Sequence, residues 1–173
     1  AAFSVDTTKA CIPGVFQFES LVDPDLITQT EWFFGDGEVG YEASPAHDYP
    51  SPGGYDITFN ITSLIGCHYT NFQPNMLQVY ARPYVGFTAS PQPTRVPDTH
   101  IEFESVNSSN VVDWHWLFDS MQSLGVSDDP HPEFDFPIDI GGEYPVTLVV
   151  TDANGCTSQI TRIIEIYDIF ALY

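Results

Sequence analysis

Cationic side chains are almost missing from this sequence. Lys and Arg together number 4 in 173 residues, against 24 Asp plus Glu, for a formal net charge of −20 at pH 7. Nucleic acid and anionic membrane surfaces are gripped through Lys and Arg, so the scarcity excludes both as partners. Such a surface attracts divalent cations diffusely, and its self-repulsion favours a monomer. The acidity is similar to that of proteins working outside the cell or in salty water, where charge keeps extended arrays soluble. Long apolar runs are lacking as well. No stretch approaches the roughly 20 residues of a membrane helix, so membrane insertion is not expected. The start Ala1-Ala2-Phe3 carries neither an initiator methionine nor a signal peptide, and the chain reads as a fragment of a longer protein.

Catalytic patterns are equally scarce. No nucleophile elbow or phosphate loop occurs, and the carboxylates are too scattered to nominate a general acid and base. None of the 5 histidines forms a pair with zinc-like spacing and a third ligand. No enzyme activity and no cofactor are expected.

What the chain has is apolar and aromatic material, at 43% and 14%, which argues against disorder despite the charge. Period-2 alternation dominates, and no window sustains a helical period with caps. Tyr55, Ile57, Phe59 and Ile61 alternate with Asp56, Thr58 and Asn60, and Tyr144, Val146, Leu148 and Val150 repeat the pattern. The first strand of each copy does the same, with Phe16 and Phe18 inward in one and Ile101 and Phe103 in the other. The final strands are Leu77-Gln78-Val79-Tyr80 and Ile164-Glu165-Ile166-Tyr167. These are half-buried antiparallel strands, one face in a core and one wet. Pro145 removes a ladder donor from its strand and points to an edge or a bulge there, a constraint its counterpart Asp56 lacks.

The two sets of strands form a repeat. Phe18 and Phe103 lie 85 positions apart, Trp32 and Trp116 84, Tyr55 and Tyr144 89, and Gly66-Cys67 and Gly155-Cys156 again 89. A period of this length is one small sandwich, since about seven short strands need about 80 to 100 residues. The fold expected is therefore all-β, two tandem immunoglobulin-like sandwiches, with domains at 1–82 and 83–168 and the start of a linker at 169–173. Between them, Arg82-Pro83 passes from one module to the next with no Gly/Ser-rich spacer, so a short, restricted hinge is expected.

The order Trp32-Phe33-Phe34-Gly35-Asp36-Gly37, then Pro45-Ala46-His47-Asp48-Tyr49, then Gly53-Gly54-Tyr55 resembles the PKD family of extracellular immunoglobulin-like modules. It returns as Trp116-Leu117-Phe118-Asp119, Phe134-Asp135-Phe136 and Gly141-Gly142-Glu143-Tyr144. The resemblance makes Trp32, Gly35, Asp36, Gly37, Tyr55, Trp116 and Tyr144 core and turn residues, and His47 structural. It also implies a bond between Cys11 and Cys67, similar to the paired cysteines of many bacterial members, closing a loop of about 55 residues for about 3 to 4 kcal/mol. In the second copy Val96 is expected in the place of Cys11, so no bridge is expected for Cys156.

Four acids are calcium candidates, because hard cations want convergent oxygens. Asp36 lies within the Gly35-Asp36-Gly37 turn and Glu38 directly follows it, where a plain turn is the competing and favoured reading. Asp128 and Asp129 lie in the proline-bounded loop Ser127-Asp128-Asp129-Pro130-His131-Pro132-Glu133, which lacks the acid spacing and central glycine of a calcium loop. His115, between Trp114 and Trp116, is expected on the outer face. Asp6-Thr7-Thr8 and Asp119-Ser120-Met121 resemble the O-glycosylation acceptor of Bacteroidota, a triplet common by chance.

The ending Ile163-Ile164-Glu165-Ile166-Tyr167 through Tyr173 resembles the lead-in to the sorting domain of Bacteroidota type IX secretion substrates. With the tandem repeats, this resemblance implies a non-catalytic structural and adhesive module of a large secreted or cell-surface protein, similar to gliding-motility adhesins. Its partners would be neighbouring domains and a surface polysaccharide or protein. The alternative is a carbohydrate- or protein-binding accessory domain of a secreted hydrolase, for which exposed aromatics in a planar row would speak. Tyr41, Tyr69, Phe72 and Tyr84 are the aromatics available for one.

Overall fold

The computed structural model describes residues 2–119, 124–137 and 141–168. The chain divides into two compact units, Ala1–Ala81 and Arg82–Tyr173. In the first unit the strands are β1 (Phe3–Val5), β2 (Lys9–Cys11), β3 (Gly14–Ser20), β4 (Ile27–Phe33), β5 (Val39–Gly40), β6 (Ala46–Tyr49), β7 (Gly53–Ser63) and β8 (His68–Tyr80). One 3-10 turn, Pro24–Leu26, precedes β4; the Asp23 carboxylate accepts the Asp25 N–H at its start. In the second unit they are β9 (Val85–Ser90), β10 (Thr94–Arg95), β11 (His100–Asn107), β12 (Val111–Leu117), β13 (Val126–Ser127), β14 (Glu133–Asp135), β15 (Gly142–Asp152) and β16 (Thr157–Tyr167). The protein is all-β.

Each unit is a sandwich of a three-stranded and a five-stranded sheet. The orders are β1-β3-β6 with β2-β8-β7-β4-β5, and β9-β11-β14 with β10-β16-β15-β12-β13. Strand by strand the second unit reproduces the first. Both begin with a strand split between the two sheets: β1 and β9 run antiparallel to β3 and β11, whereas β2 and β10 run parallel to β8 and β16. The strands Phe16–Phe18 and Ile101–Phe103 are thus third in their units, not first. β1, β2 and β10, of two or three residues each, carry too little alternation to stand out in a sequence, although β9 has six.

Alternation decides the cores. Ile57, Phe59 and Ile61 of β7 and Val146, Leu148 and Val150 of β15 face inward and are buried. Trp32 and Trp116 are fully buried on the neighbouring strands β4 and β12 of the same sheets, and each indole N–H donates to a loop carbonyl, that of Glu42 at 2.9 Å and that of Asp129 at 2.8 Å. A buried indole needs such a partner. Around Trp32 stand Phe3 and Phe18 with Phe59 stacked on it at 4.0 Å; around Trp116 stand Phe87, Phe103 and Phe118. Tyr55 and Tyr144 are half-buried against their cores. His115 is exposed.

The β7–β8 and β15–β16 hairpins are built alike. Gly66 (φ +80) and Gly155 (φ +83) take the left-handed turn position, and their N–H groups donate to Ser63 O and Asp152 O, both at 2.9 Å. The following cysteines donate their N–H to Ser63 Oγ at 3.0 Å and Asp152 Oδ1 at 2.9 Å. Further along, the hairpins part company. Register jumps from Tyr55↔Leu77 to Ile57↔Gln73, placing extra residues on β8, and the Asn75 N–H donates to Asp56 Oδ1 at 2.6 Å. The bulge therefore lies on β8 opposite Asp56, and none lies at Pro145. Pro145 pairs with Ile163, beyond the reach of β12, whose pairing stops at Thr147, so no ladder on that side is broken.

Candidate functional site

The Gly35-Asp36-Gly37 turn follows from what its backbone must do. Gly35 (φ +82) and Gly37 (φ +99) adopt conformations that side chains resist, and a Cβ on Gly35 would stand 2.5 Å from Asp56 O. Asp36 Oδ1 accepts the Glu38 N–H at 2.9 Å, and Asp36 Oδ2 accepts His47 Nε2–H at 2.7 Å. His47 is itself 8% exposed, its ring stacked on Phe34 at 3.9 Å and edge-on to Tyr49. The Tyr49 hydroxyl donates to Phe34 O at 2.8 Å, closing the loop of contacts. One Asp36 oxygen thus closes the turn on Glu38 and the other holds it to β6.

Burial pushes the Asp36 carboxyl up, but the His47 hydrogen bond, the Glu38 N–H and the His47 charge outweigh it and hold it below the usual 3.8. With the folded value below the unfolded one, the unfolded chain binds more protons in between. Stability from this contact is present above the unfolded pKa and is lost as pH falls through the folded one. The first unit should therefore lose thermal stability as the pH falls through and below the usual carboxylate range, and Asp36→Asn should flatten that acid limb. Equal acid limbs in parent and variant would show that the pair contributes nothing.

In the second unit the same place is apolar. Phe134 replaces His47 and stacks on Phe118 at 4.0 Å, and Phe136 replaces Tyr49. Ser120 and Met121, the counterparts of Asp36 and Gly37, lie outside the described residues, as do 169–173.

Asp128 and Asp129 diverge. Asp128 Oδ1 accepts His115 Nδ1–H at 2.7 Å, across to β12, while Asp129 Oδ1 accepts the His131 N–H at 2.8 Å within its own turn. Among the described residues, the group of three His, Cys, Asp or Glu side chains whose ligand atoms converge is His100, Glu102 and Glu133. It includes none of Asp36, Glu38, Asp128 or Asp129. Sequence reasoning missed it because His100 and Glu133 are brought together only by the β11–β14 register.

The cysteine pairing differs from the one expected. Cys11 and Cys156 are each disulfide-bonded, and Cys67 is an exposed free thiol. Cys11 pairs with Tyr80 at the end of β8, and Cys67 precedes the start of that 13-residue strand. At about 3.3 Å per residue the two ends lie about 40 Å apart, far beyond the roughly 7 Å that a disulfide spans between Cα atoms. Nor does Val96 take the place of Cys11. Arg95 pairs with Tyr167 as Cys11 does with Tyr80, and the Val96 N–H donates to Tyr167 O as the Ile12 N–H does to Tyr80 O. Alkylation without reduction should label Cys67 and leave Cys11 and Cys156 unlabelled in peptide mapping; a crosslink containing Cys67 would refute the assignment.

Tyr41, Tyr69, Phe72 and Tyr84 are all at least half exposed. Tyr69 lies opposite Ile61, an inward position of β7, and Phe72 opposite Thr58, an outward one. Alternation therefore sends the two to opposite faces of β8. Tyr41 follows β5, at the other edge of that sheet. Tyr41, Tyr69 and Phe72 therefore form no planar row, while Phe72 shares its outward rung with the exposed Phe33 across Thr58.

Residues 3–76 match the family model described as the PKD domain. No curated protein sequence matches the chain. Among solved structures it is similar to the PKD1 domain of the Vibrio cholerae metalloprotease PrtV, at 24% identity over 49% of this chain and 96% of that one, TM-score 0.40. It is also similar to the PKD1 domain of Vibrio anguillarum Epp, at 21% identity over 50% and 95%, TM-score 0.40. The Clostridium thermocellum CbhA fibronectin(III)-like modules align at 13% identity over 99% and 97%, TM-score 0.46.

Proposed function

We propose that this chain is a non-catalytic, extracellular structural and adhesive segment of a larger secreted or cell-surface protein, built from two tandem PKD-type sandwiches. The observation that carries the reading is where the aromatics go. Most aromatics of the repeated motif, the two tryptophans above all, lie in or against the two cores, with Phe33 the exposed exception, and the exposed Tyr69 and Phe72 sit on opposite faces of their strand, so those two do not share a flat platform. The family match over residues 3–76 and the disulfide-bonded Cys11 and Cys156 support a place in an oxidising exterior. Among the described residues no helix is long and apolar enough to cross a membrane. The finer reading, a gliding-motility adhesin exported by type IX secretion, rests on the chain's resemblance to such proteins at its repeats and its C-terminal tail. Any binding uses outer faces and loops, with the chain itself a monomer.

Affinity electrophoresis of the whole chain through a panel of soluble polysaccharides tests this. The mobility of the parent and of Tyr69→Ala should be equal in every gel. Retardation of the parent that Tyr69→Ala or Phe72→Ala abolishes would favour the accessory carbohydrate-binding role. The flanking sequence of the parent protein is expected to carry further repeats upstream and a sorting domain downstream, whereas an adjoining catalytic domain would replace the adhesin reading.

A further inference from the structure

The outer face of the three-stranded sheet in the second unit concentrates metal-binding chemistry. Ile101 and Phe103 of β11 point into the core, which leaves His100, Glu102 and Glu104 facing out. On β14, Glu133 and Asp135 flank the inward Phe134 and are exposed. The antiparallel register then sets Glu102 directly opposite Glu133 and His100 directly opposite Asp135.

Two like charges opposite one another on neighbouring strands repel, so the Glu102–Glu133 rung is a place where a cation relieves a cost already present in the fold. The imidazole beside it is turned for that purpose. A carboxylate only accepts, so His100 Nδ1–H donates to Asp135 Oδ1, at 2.8 Å. With Nδ1 so occupied, Nε2 is directed toward Glu133, 3.8 Å from Oε2. One ligand atom each from His100, Glu102 and Glu133 lies within 4.8 Å of the others. A carboxylate holding the far nitrogen of a ligating histidine is the usual way in which tautomer and ring orientation are set at metal centres. The adjoining concavity, of about 410 Å³, is lined by Glu102 and Glu133 together with Thr88, Ser90, Glu104 and a second imidazole, His131.

We propose that His100, Glu102 and Glu133 form a binding site for a divalent transition cation of the zinc class, with Asp135 as the positioning residue. An imidazole with two carboxylates suits such an ion. Calcium and magnesium prefer all-oxygen shells with more ligands. Three protein ligands leave coordination positions open to water or to a group from a partner. The competing arrangement is a protonated His100 bridging the carboxylates with no metal at all.

Isothermal titration of the whole chain with zinc chloride and, separately, calcium chloride decides between them. A Cys67→Ser background is needed because the free thiol would itself bind zinc. The expected result is one saturable zinc site that a tenfold excess of calcium does not displace. His100→Ala and Glu133→Gln should each weaken it about tenfold or more, and Asp135→Asn by about 10- to 100-fold. Asp128→Asn, an acid elsewhere on the same unit, should leave it unchanged. All these side chains are exposed, so the variants should keep the parent's far-ultraviolet circular dichroism. Non-saturating binding, displacement by equimolar calcium, or undiminished affinity in His100→Ala would overturn the site in favour of the ion-pair ladder.

Discussion

Trp32→Ala is expected to unfold the first unit under conditions in which the parent chain is folded. The indole is fully buried, is stacked on Phe59, is met edge-on by Phe3, and anchors the loop before β6 through its bond to Glu42 O. Truncating a side chain so placed costs about 3 to 5 kcal/mol, and a domain of about 80 residues has roughly 4 to 12 kcal/mol in all. Thermal denaturation followed by near-ultraviolet circular dichroism should show the transition of the first unit lowered or absent. The Trp116→Ala variant should do the same to the second unit, whose tryptophan is equally buried among Phe87, Phe103 and Phe118. A variant that melts like the parent would mean that the indole is not part of a core.

Gly35→Ala should be the most damaging of the small substitutions. It forces a side chain into φ +82, which costs about 1 to 3 kcal/mol for the conformation alone, and it drives the new Cβ to within 2.5 Å of Asp56 O and 2.9 Å of Asp56 N. The obstacle is β7 backbone opposite the β8 bulge, so relief means moving the turn away from the strand. The Asp36–His47 contact would move with it. Gly37→Ala is the control, since its Cβ would meet nothing within 4 Å although its φ is also positive, at +99. Chemical denaturation should place Gly35→Ala well below Gly37→Ala, and equal midpoints would show that the close approach to Asp56 is not maintained in solution.

Much of the fold was legible because long strands advertise themselves. The 11 residues of β7 and of β15 alternate through several periods, which fixes both strand type and buried face. The paired tryptophans and glycine-cysteine hairpins then showed that the sandwich occurs twice. What escaped were features set by register across strands. The split first strands are only two or three residues long where they cross to the second sheet. A Cys11–Cys67 bond looked reasonable along the sequence, yet β8 carries its two ends to opposite ends of the unit. The same blindness hid the His100–Glu102–Glu133 cluster, whose members are joined by strand pairing and by nothing in their spacing. Among candidate ligands, Asp36 could be read as turn or as metal site, and only the positions of His47 and the Glu38 N–H show its two oxygens already engaged.

The central claim is that both halves of the chain spend their recognisable motif on the same sandwich core, leaving function to outer faces. Hydrogen exchange on the uniformly nitrogen-15-labelled chain tests it most directly, because backbone amides and indole N–H groups are read together. The slowest amides should fall into two sets, on β4 and β7 and on β12 and β15, and the indole N–H groups of Trp32 and Trp116 should exchange far more slowly than that of the half-buried Trp114, which donates to Asn107 Oδ1. Slow amides confined to one half, or a Trp32 or Trp116 indole exchanging as fast as that of Trp114, would contradict the account.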